Sequence, residues 1–373
     1  MLRRRGAQWV QLTVNGQCGM LSSGIMGSAA ERESRVKAVG MLSGGLDSIL
    51  AVRVMLEQGI DVTPIQVRTG LGYARRDRLV GREPPEISRP ERAARMLGLD
   101  LVIIEAFEPY ISVVVDPQHG YGSGMNPCVD CRIFILRQAR AWMEAHDHRF
   151  VFTGEVLGQR PNSQMASSLR VVERESGLEG LLLRPLSARL LVPTIPEKRG
   201  WVDRDQLYGF HGRSRKPQME LAAQFGITDY PQPAGGSCFL VDQSYSRRLK
   251  DFFDHEGRQS LTHQRAFLLS IGRHVRLPSG QKAIVGRYKE ENDYLATQGD
   301  QGILMTTLDR PGPTTLLMGE AARQDIEQSA QITARYAGFK DKLPVRVQVR
   351  HQGVTQVLTV EPMSMAEIHA LMV

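Results

Sequence analysis

The hydrophobic pattern is most regular between Val36 and Leu56, where the chain reads VKAVGMLSGGLDSILAVRVML. A short apolar run, 36–42, predicts a buried strand. It breaks at Ser43-Gly44-Gly45-Leu46-Asp47-Ser48, and apolar side chains then return at Ile49, Leu50, Val52, Val54 and Leu56 with helical spacing. The stretch therefore predicts strand, glycine turn, helix. Further strands are expected at 60–67, 100–105 and 149–153, with a helix at 90–97. Another helix should start with Asn126 as N-cap and Pro127 at its first position, burying Ile133, Leu136 and the 139–143 stretch. Strands alternating with helices predict an α/β fold, a doubly wound parallel sheet whose ligand lies at the carboxyl ends of the strands. The polar stretches 68–85 and 116–125 read as candidate active-site loops.

Farther along, 202–210 and 216–225 read as helices, and Pro231-Gln232-Pro233-Ala234-Gly235-Gly236-Ser237 as a turn leading to Cys238. From about Gln243 the pattern changes to short strands at 268–277 and 281–286. Alternating valines between Leu343 and Val360 predict a hairpin. These features suggest a smaller C-terminal α+β domain. The expected division is a leader at 1–35, an α/β domain at 36–242 and the smaller domain at 243–373.

Composition adds bounds to this picture. The 373 residues are 42% hydrophobic and 23% charged, ample for two packed domains. No apolar run approaches the length of a membrane span, so a cytoplasmic protein is expected. The leader carries Arg3, Arg4 and Arg5 without a continuous apolar segment. It reads as a flexible extension or an over-extended start, with Met20 and Met26 as alternatives. The net charge of +7 suits a polyanionic partner. Basic groups cluster at Arg75, Arg76, Arg78 and Arg82, at Arg213, Arg215 and Lys216, and at Arg247, Arg248 and Lys250, although solvated surface charge has the same appearance. Aromatic residues make up only 6%, which argues for phosphate contacts over base stacking.

Candidate chemistry starts at the glycine turn. Paired glycines allow close approach of a ligand, and a helix beginning at Asp47 or Ser48 turns its free N–H groups toward an anion, with phosphate the natural guest. The turn lacks the GxxxxGK[ST] lysine that serves terminal phosphoryl transfer. Four cysteines, Cys18, Cys128, Cys131 and Cys238, are too few for a disulfide framework. Cys128 and Cys131 fall on one side of a helix start, where a thiolate is favoured. Inert packing or a CxxC redox pair are the other readings of that pair.

The SGGLDS turn resembles the SGGxDS loop of the PP-loop ATP pyrophosphatases. That resemblance implies a loop that holds the pyrophosphate end of ATP while a substrate oxygen attacks the α-phosphorus. Asp47 would help hold Mg²⁺, and Thr153, Gly154, Glu155 and Gln159 would line the nucleotide end. CxxCR, TGEVLGQ, Gln164 and Arg184-Pro185-Leu186 are similar to the catalytic domain of 4-thiouridine synthetases. Asn126-Pro127 with Cys131, and Gly236-Ser237-Cys238-Phe239, are similar instead to tRNA 2-thiouridylases. The stretch 282–295 resembles the RNA-binding domain of NFACT proteins, with Tyr288 where asparagine is usual.

Together these resemblances imply ATP-dependent thiolation of tRNA, with hydrosulfide or a persulfide carrier as sulfur donor and a homodimer left open. Arg213, Arg215, Lys216, Arg273, His274 and Arg287 are the expected RNA contacts. Cys128, Cys131 and Cys238 would hold a four-iron, four-sulfur cluster with one open iron. The alternatives are a three-cysteine zinc site or a metal-free persulfide pair at Cys131 and Cys238. Two other functions stay open, adenylation of a small metabolite and an RNA-binding adaptor with a regulatory ATP site.

Overall fold

A computed structural model describes residues 35–72, 76–77, 79–80, 87–161, 163–231, 238–338 and 344–373. The leader through 34, the 232–237 turn, and Arg75, Arg78 and Arg82 lie outside the described residues. The chain divides into two compact units. One comprises Met1–Thr69, Glu86–Gly120 and Pro127–Gly235, and the other Gly70–Pro85, Tyr121–Asn126 and Gly236–Val373.

The first unit is built on five parallel strands, β1 (Lys37–Met41), β2 (Asp61–Arg68), β3 (Val102–Glu105), β4 (Phe150–Phe152) and β5 (Leu182–Leu183). They form one sheet in the order β3-β2-β1-β4-β5. β1 pairs with β2 on one side, Val39 opposite Thr63, and with β4 on the other, Val39 opposite Val151. Strand order reverses between β1 and β4, and such a switch point opens a crevice beyond the carboxyl ends of both strands. β1 and β4 are fully buried at Ala38, Val39, Phe150, Val151 and Phe152, as helix-covered parallel strands require. On one face the helix Leu46–Glu57 packs Ile49, Leu50, Val52 and Met55 into a cluster with Ala38 and Phe152. On the other the helix Cys128–Ala145 packs Ile133, Leu136, Ala139 and Met143 against Val39, Ile65 and Val151.

Two local expectations change. The helix expected at 202–210 is only a single turn, Arg204–Gln206. The amides of Tyr208 and Phe210 instead donate to the Pro185 and Leu186 carbonyls at 2.9 and 2.7 Å, so tertiary hydrogen bonding overrides the helical spacing. The cap of the Cys128–Ala145 helix is Pro127, and the Asn126 Oδ1 accepts from the Gly124 amide at 2.9 Å.

The second unit carries six strands, β6 (Arg273–Arg276), β7 (Lys282–Val285), β8 (Gly302–Thr307), β9 (Thr315–Met318), β10 (Val345–His351) and β11 (Val354–Val360). They form an antiparallel sheet in the order β11-β10-β8-β9-β7-β6. The alternating Val345, Val347 and Val349 point into one core with Ala330, Ile332 and Ala334 of the helix Arg323–Tyr336. The expected hairpin at 343–360 is β10–β11, whereas the strand expected from Leu268 begins only at Arg273, because His263–Leu268 is a helix capped by Thr262. The helix Gln243–Glu256 is capped by the Asp242 carboxylate, which accepts from the Tyr245 amide at 2.9 Å.

Candidate functional site

The Ser43–Ser48 turn links β1 to the helix Leu46–Glu57 and sits at the switch point. Gly44 has φ +75°, and a Cβ there would lie 2.6 Å from the Arg89 carbonyl carbon, so the turn is pressed against the next helix in a conformation glycine alone accepts. Ser43 and Ser48 tie the turn together. The Ser43 amide donates to Ser48 Oγ at 3.3 Å, and Ser48 Oγ donates to the Gly45 carbonyl at 2.8 Å. The Gly45 cap supplies no side chain, and the Leu46 and Asp47 amides have no partner among the described residues. Unsatisfied amides at a helix start, around a glycine pair, form an anion cradle.

Gly154, just past β4, closes the other wall. A Cβ at Gly154 would stand 2.4 Å from the Asp47 carbonyl oxygen, so the TGEVLGQ segment lies directly on the turn. Gln159 Nε2 donates to Asp47 Oδ2 at 3.2 Å, while Asp47 Oδ1 is buried with no hydrogen-bond partner among the described residues. Burial pushes the Asp47 carboxyl pKa up; the Gln159 bond, the nearby Arg215 and Arg160 charges and the neighbouring Gln218 amide, which makes no hydrogen bond of good geometry to Oδ1, pull it down without cancelling that rise. A desolvated carboxylate with one oxygen free is arranged for a cation or a ligand donor, which fits Mg²⁺ beside a phosphate. On the Gly44 side an open cleft of about 250 Å³ is lined by Ile49, Arg89, Arg92, Met96, Asp229 and Tyr230. That volume takes one end of a nucleotide, not all of it.

Glu155 is 3% exposed and Arg184 is 3% exposed, and Arg184 Nε donates to Glu155 Oε2 at 3.2 Å. Arg184 also reaches Glu173 at 3.0 Å and the Leu169 carbonyl at 3.2 Å. The second Glu155 oxygen faces Arg132 at 3.5 Å, the residue that follows Cys131. Burial pushes the Glu155 carboxyl pKa up, but the Arg132 and Arg184 charges and the bonds from Arg184 and Thr153 outweigh it and hold the group below its ordinary value. Glu155 thus joins the thiol-bearing helix to the wall of the cradle. Replacing Arg184 by Met should leave the buried Glu155 with only Arg132 as a cation and Glu173 with none among the described residues, and cost about 3–5 kcal/mol in urea unfolding at neutral pH. Glu155 contributes stability that is present above its unfolded pKa and lost as pH falls through its lower folded pKa. The gap between variant and wild type should therefore narrow below about pH 4.

Cys128 and Cys131 are half-buried and unoxidised at the helix start. Asp130 between them anchors the preceding loop by accepting from the Gln118 and His119 amides, both at 3.0 Å. The thiolate expected at Cys131 is corrected by its surroundings: dense packing pushes the thiol pKa up, more than a Tyr110 hydrogen bond and the Arg132 charge lower it. Arg160 is an arginine beside the cradle that the sequence does not single out. Burial and Arg132 lower its pKa, while Cys128, Asp47 and Glu155 raise it, so one guanidinium lies within electrostatic reach of the Cys128 thiol and of the cradle's carboxylate. Among the described residues, no group of three or more His, Cys, Asp or Glu could hold a metal ion.

The expected RNA contacts separate. Arg213 and Lys216 are exposed, but Arg215 is half-buried with its Nε buried, and its charge acts on Asp47. In the second unit Arg273 lies over the Tyr336 ring at 4.6 Å. Arg287 makes a two-pronged pair with the fully buried Glu291, at 3.1 and 2.6 Å. His274 is a correction. It is 0% exposed, shares Nε2 with the Ile271 carbonyl at 2.8 Å, and burial drives its pKa well down, so it is a neutral core residue with no reach to phosphate. Cys238 belongs to the second unit, where it bridges Gly72 and the amide of its neighbour Phe239 donates to the Leu71 carbonyl at 3.0 Å. No helix among the described residues is long and apolar enough to cross a membrane.

Comparison with known proteins matches residues 33–189 to a family described as thiamine biosynthesis protein (ThiI) and residues 272–372 to the NFACT protein RNA binding domain. The resemblances read from the SGGLDS turn and from the 282–295 stretch are thus both found. A tRNA-specific 2-thiouridylase MnmA from Syntrophotalea carbinolica is 34% identical over 26% of this chain and 29% of its own length. The enzyme of the same name from Nitratidesulfovibrio vulgaris is 24% identical over 58% of this chain and 59% of its own. The chain therefore spans less than two thirds of the length of these relatives. Among solved structures, a predicted subunit of tRNA methyltransferase from Methanocaldococcus jannaschii overlaps 40% of this chain and 69% of its own, at 17% identity and a TM-score of 0.28.

Proposed function

We propose that the chain is an ATP-dependent tRNA thiolation enzyme of the PP-loop type. The observation that carries this reading is the conjunction in one unit of an anion cradle at Ser43–Ser48 with the Cys128/Cys131 pair, the thiol-bearing helix being held to the cradle wall by the Arg132–Glu155 pair at 3.5 Å beside Gly154. In this reading a uracil carbonyl oxygen attacks the α-phosphorus of ATP, and pyrophosphate leaves into the cradle. Hydrosulfide then adds to the activated ring carbon and AMP departs with the former carbonyl oxygen; where a cysteine persulfide attacks instead, AMP departs in the same way and a second thiolate cleaves the S–S bond, leaving a protein disulfide and the thiocarbonyl. Mg²⁺, when bound, neutralises phosphate charge. Asp47 offers it Oδ1, the Leu46 and Asp47 amides hold phosphate oxygens, and Glu155 fixes the helix start relative to the cradle. The ThiI family match and the two thiouridylase relatives support the same reaction class.

The described residues offer no three-ligand metal group, so no step is routed through an iron–sulfur cluster. Anaerobic purification with iron and sulfide analysis decides that point. An iron-free protein that thiolates tRNA excludes the cluster, whereas iron lost on changing Cys128 alone excludes a scheme using only Cys131 and Cys238.

Pyrophosphate release separates the functions. Release that needs unmodified tRNA, with thiouridine appearing when sulfide is present, supports thiolation. Release driven by an amino or carboxylic metabolite, or ATP binding without turnover, would replace it with one of the other two. We also expect tRNA affinity to fall steeply with salt. Replacing exposed Arg213 or Lys216 by Gln should flatten the slope of log affinity against log salt by about one unit for each phosphate that the protein no longer neutralises. An unchanged slope removes these two residues from the interface. Arg287 is a poor probe of the same point, because its loss would leave Glu291 buried and unpaired.

A further inference from the structure

The two edges of the antiparallel sheet are treated differently. The β6 edge is covered by the chain itself, through a Val275–Met372 bridge and the Val373 amide donating to the His274 carbonyl at 3.1 Å. Among the described residues the β11 edge is bare. Val354 is 67% and Val357 51% exposed, and among the described residues β11 pairs with β10 alone. Its sequence, VTQVLTV, has no charge, proline or bulge, the usual devices that keep an edge strand single.

The turn fixes which backbone groups are free. Gln352 and Gly353 both have positive φ, 48° and 81°, and His351 opposes Val354, a two-residue type I′ hairpin. In such a hairpin the flanking pair exchanges both hydrogen bonds, and every second pair thereafter does so. Val354, Gln356, Leu358 and Val360 therefore bond inward to β10, while the N–H and C=O groups of Thr355, Val357 and Thr359 point outward.

We propose that β11 pairs antiparallel with β11 of a second copy about a two-fold axis at Val357, joining the two sheets. The strand is nearly palindromic, so every position meets its like except Gln356, which faces Leu358. Val357 faces the second Val357, Thr355 faces Thr359, and Val354 faces Val360. On one face this gives threonine–threonine and valine–valine pairs, the kind that stabilise sheets. On the other, exposed Val354 continues the apolar stripe of Val360 and the partly buried Leu358. Such an isologous contact uses the same patch on both copies and closes on itself. Its area is that of one strand pair, below the standard size of a permanent interface, so the dimer is concentration-dependent. The inference does not rest on the proposed reaction.

Sedimentation of the full chain from about 1 to 100 μM should move from the mass of one chain toward that of two. Val357→Lys places two ammonium groups opposite each other on an already exposed position and should leave a monomer throughout. Hydrogen exchange on the unaltered protein gives a reading free of any folding defect. The amides of Thr355, Val357 and Thr359 should gain protection as concentration rises, and those of β10 should not. A wild-type chain that stays monomeric, a Val357→Lys chain that dimerises equally, or protection indifferent to concentration would each overturn the proposal.

Discussion

Asp47→Ala should reduce tRNA-dependent pyrophosphate release by at least about 10²–10³-fold, the range seen when a preorganised group at a reacting centre is removed. The expectation rests on placement. Asp47 is the carboxylate at the helix start, it is desolvated, and its Oδ1 has no partner among the described residues. The same features predict that the variant folds normally. A carboxyl whose folded pKa is raised favours the fold most when protonated, and that contribution is lost as pH rises through the folded pKa. Removing the ionised group should thus leave the melting temperature at neutral pH unchanged or slightly higher. Release at the wild-type rate by Asp47→Ala would dissociate the Ser43–Ser48 turn from ATP chemistry.

The second large effect is expected at the thiols, and it should divide the reaction. Cys128→Ser and Cys131→Ser should each lower thiouridine formation by about a thousandfold or more, as loss of a covalent participant does, while pyrophosphate release changes by less than about threefold. Adenylation draws on the cradle, which lies on β1 and β4; sulfur transfer draws on the helix that begins at Cys128. The raised pKa of Cys131 adds a pH signature. Its thiolate fraction is small at neutral pH and grows with alkalinity, so thiolation should climb toward alkaline pH without a matching climb in pyrophosphate release. Loss of both activities together in Cys131→Ser would place that residue in adenylation or in folding. Thiolation at the wild-type rate by both variants would leave the pair without a chemical role.

The β1-turn-helix unit is legible because its signals are local: an apolar run, two glycines, then helical spacing, all within Val36–Leu56. The β10–β11 hairpin is legible for the same reason, since alternating valines mark one face. What escapes the sequence is set by interactions between distant residues. β5 is only two residues, Leu182–Leu183, too short to carry a pattern. Arg184 reads as part of a short motif, yet its partner Glu155 lies 29 residues away and Glu173 lies 11 away, so the buried set cannot be seen along the chain. Arg160 is one more arginine in a basic chain until Asp47 and Cys128 are placed around it. The errors have the same origin. His274 stands among basic neighbours but falls inside the sheet at 0% exposure. Cys131 does occupy a helix start, and there the desolvation of packing outweighs the Tyr110 hydrogen bond and the Arg132 charge.

The most direct measurement follows one oxygen atom. Unmodified tRNA carrying ¹⁸O in its uracil carbonyls, incubated with ATP, Mg²⁺ and sulfide, should yield pyrophosphate and AMP, with one ¹⁸O in the AMP phosphate for every thiouridine formed. Unlabelled AMP, or ADP and inorganic phosphate in its place, would contradict attack of the base oxygen on the α-phosphorus and with it the proposed reaction.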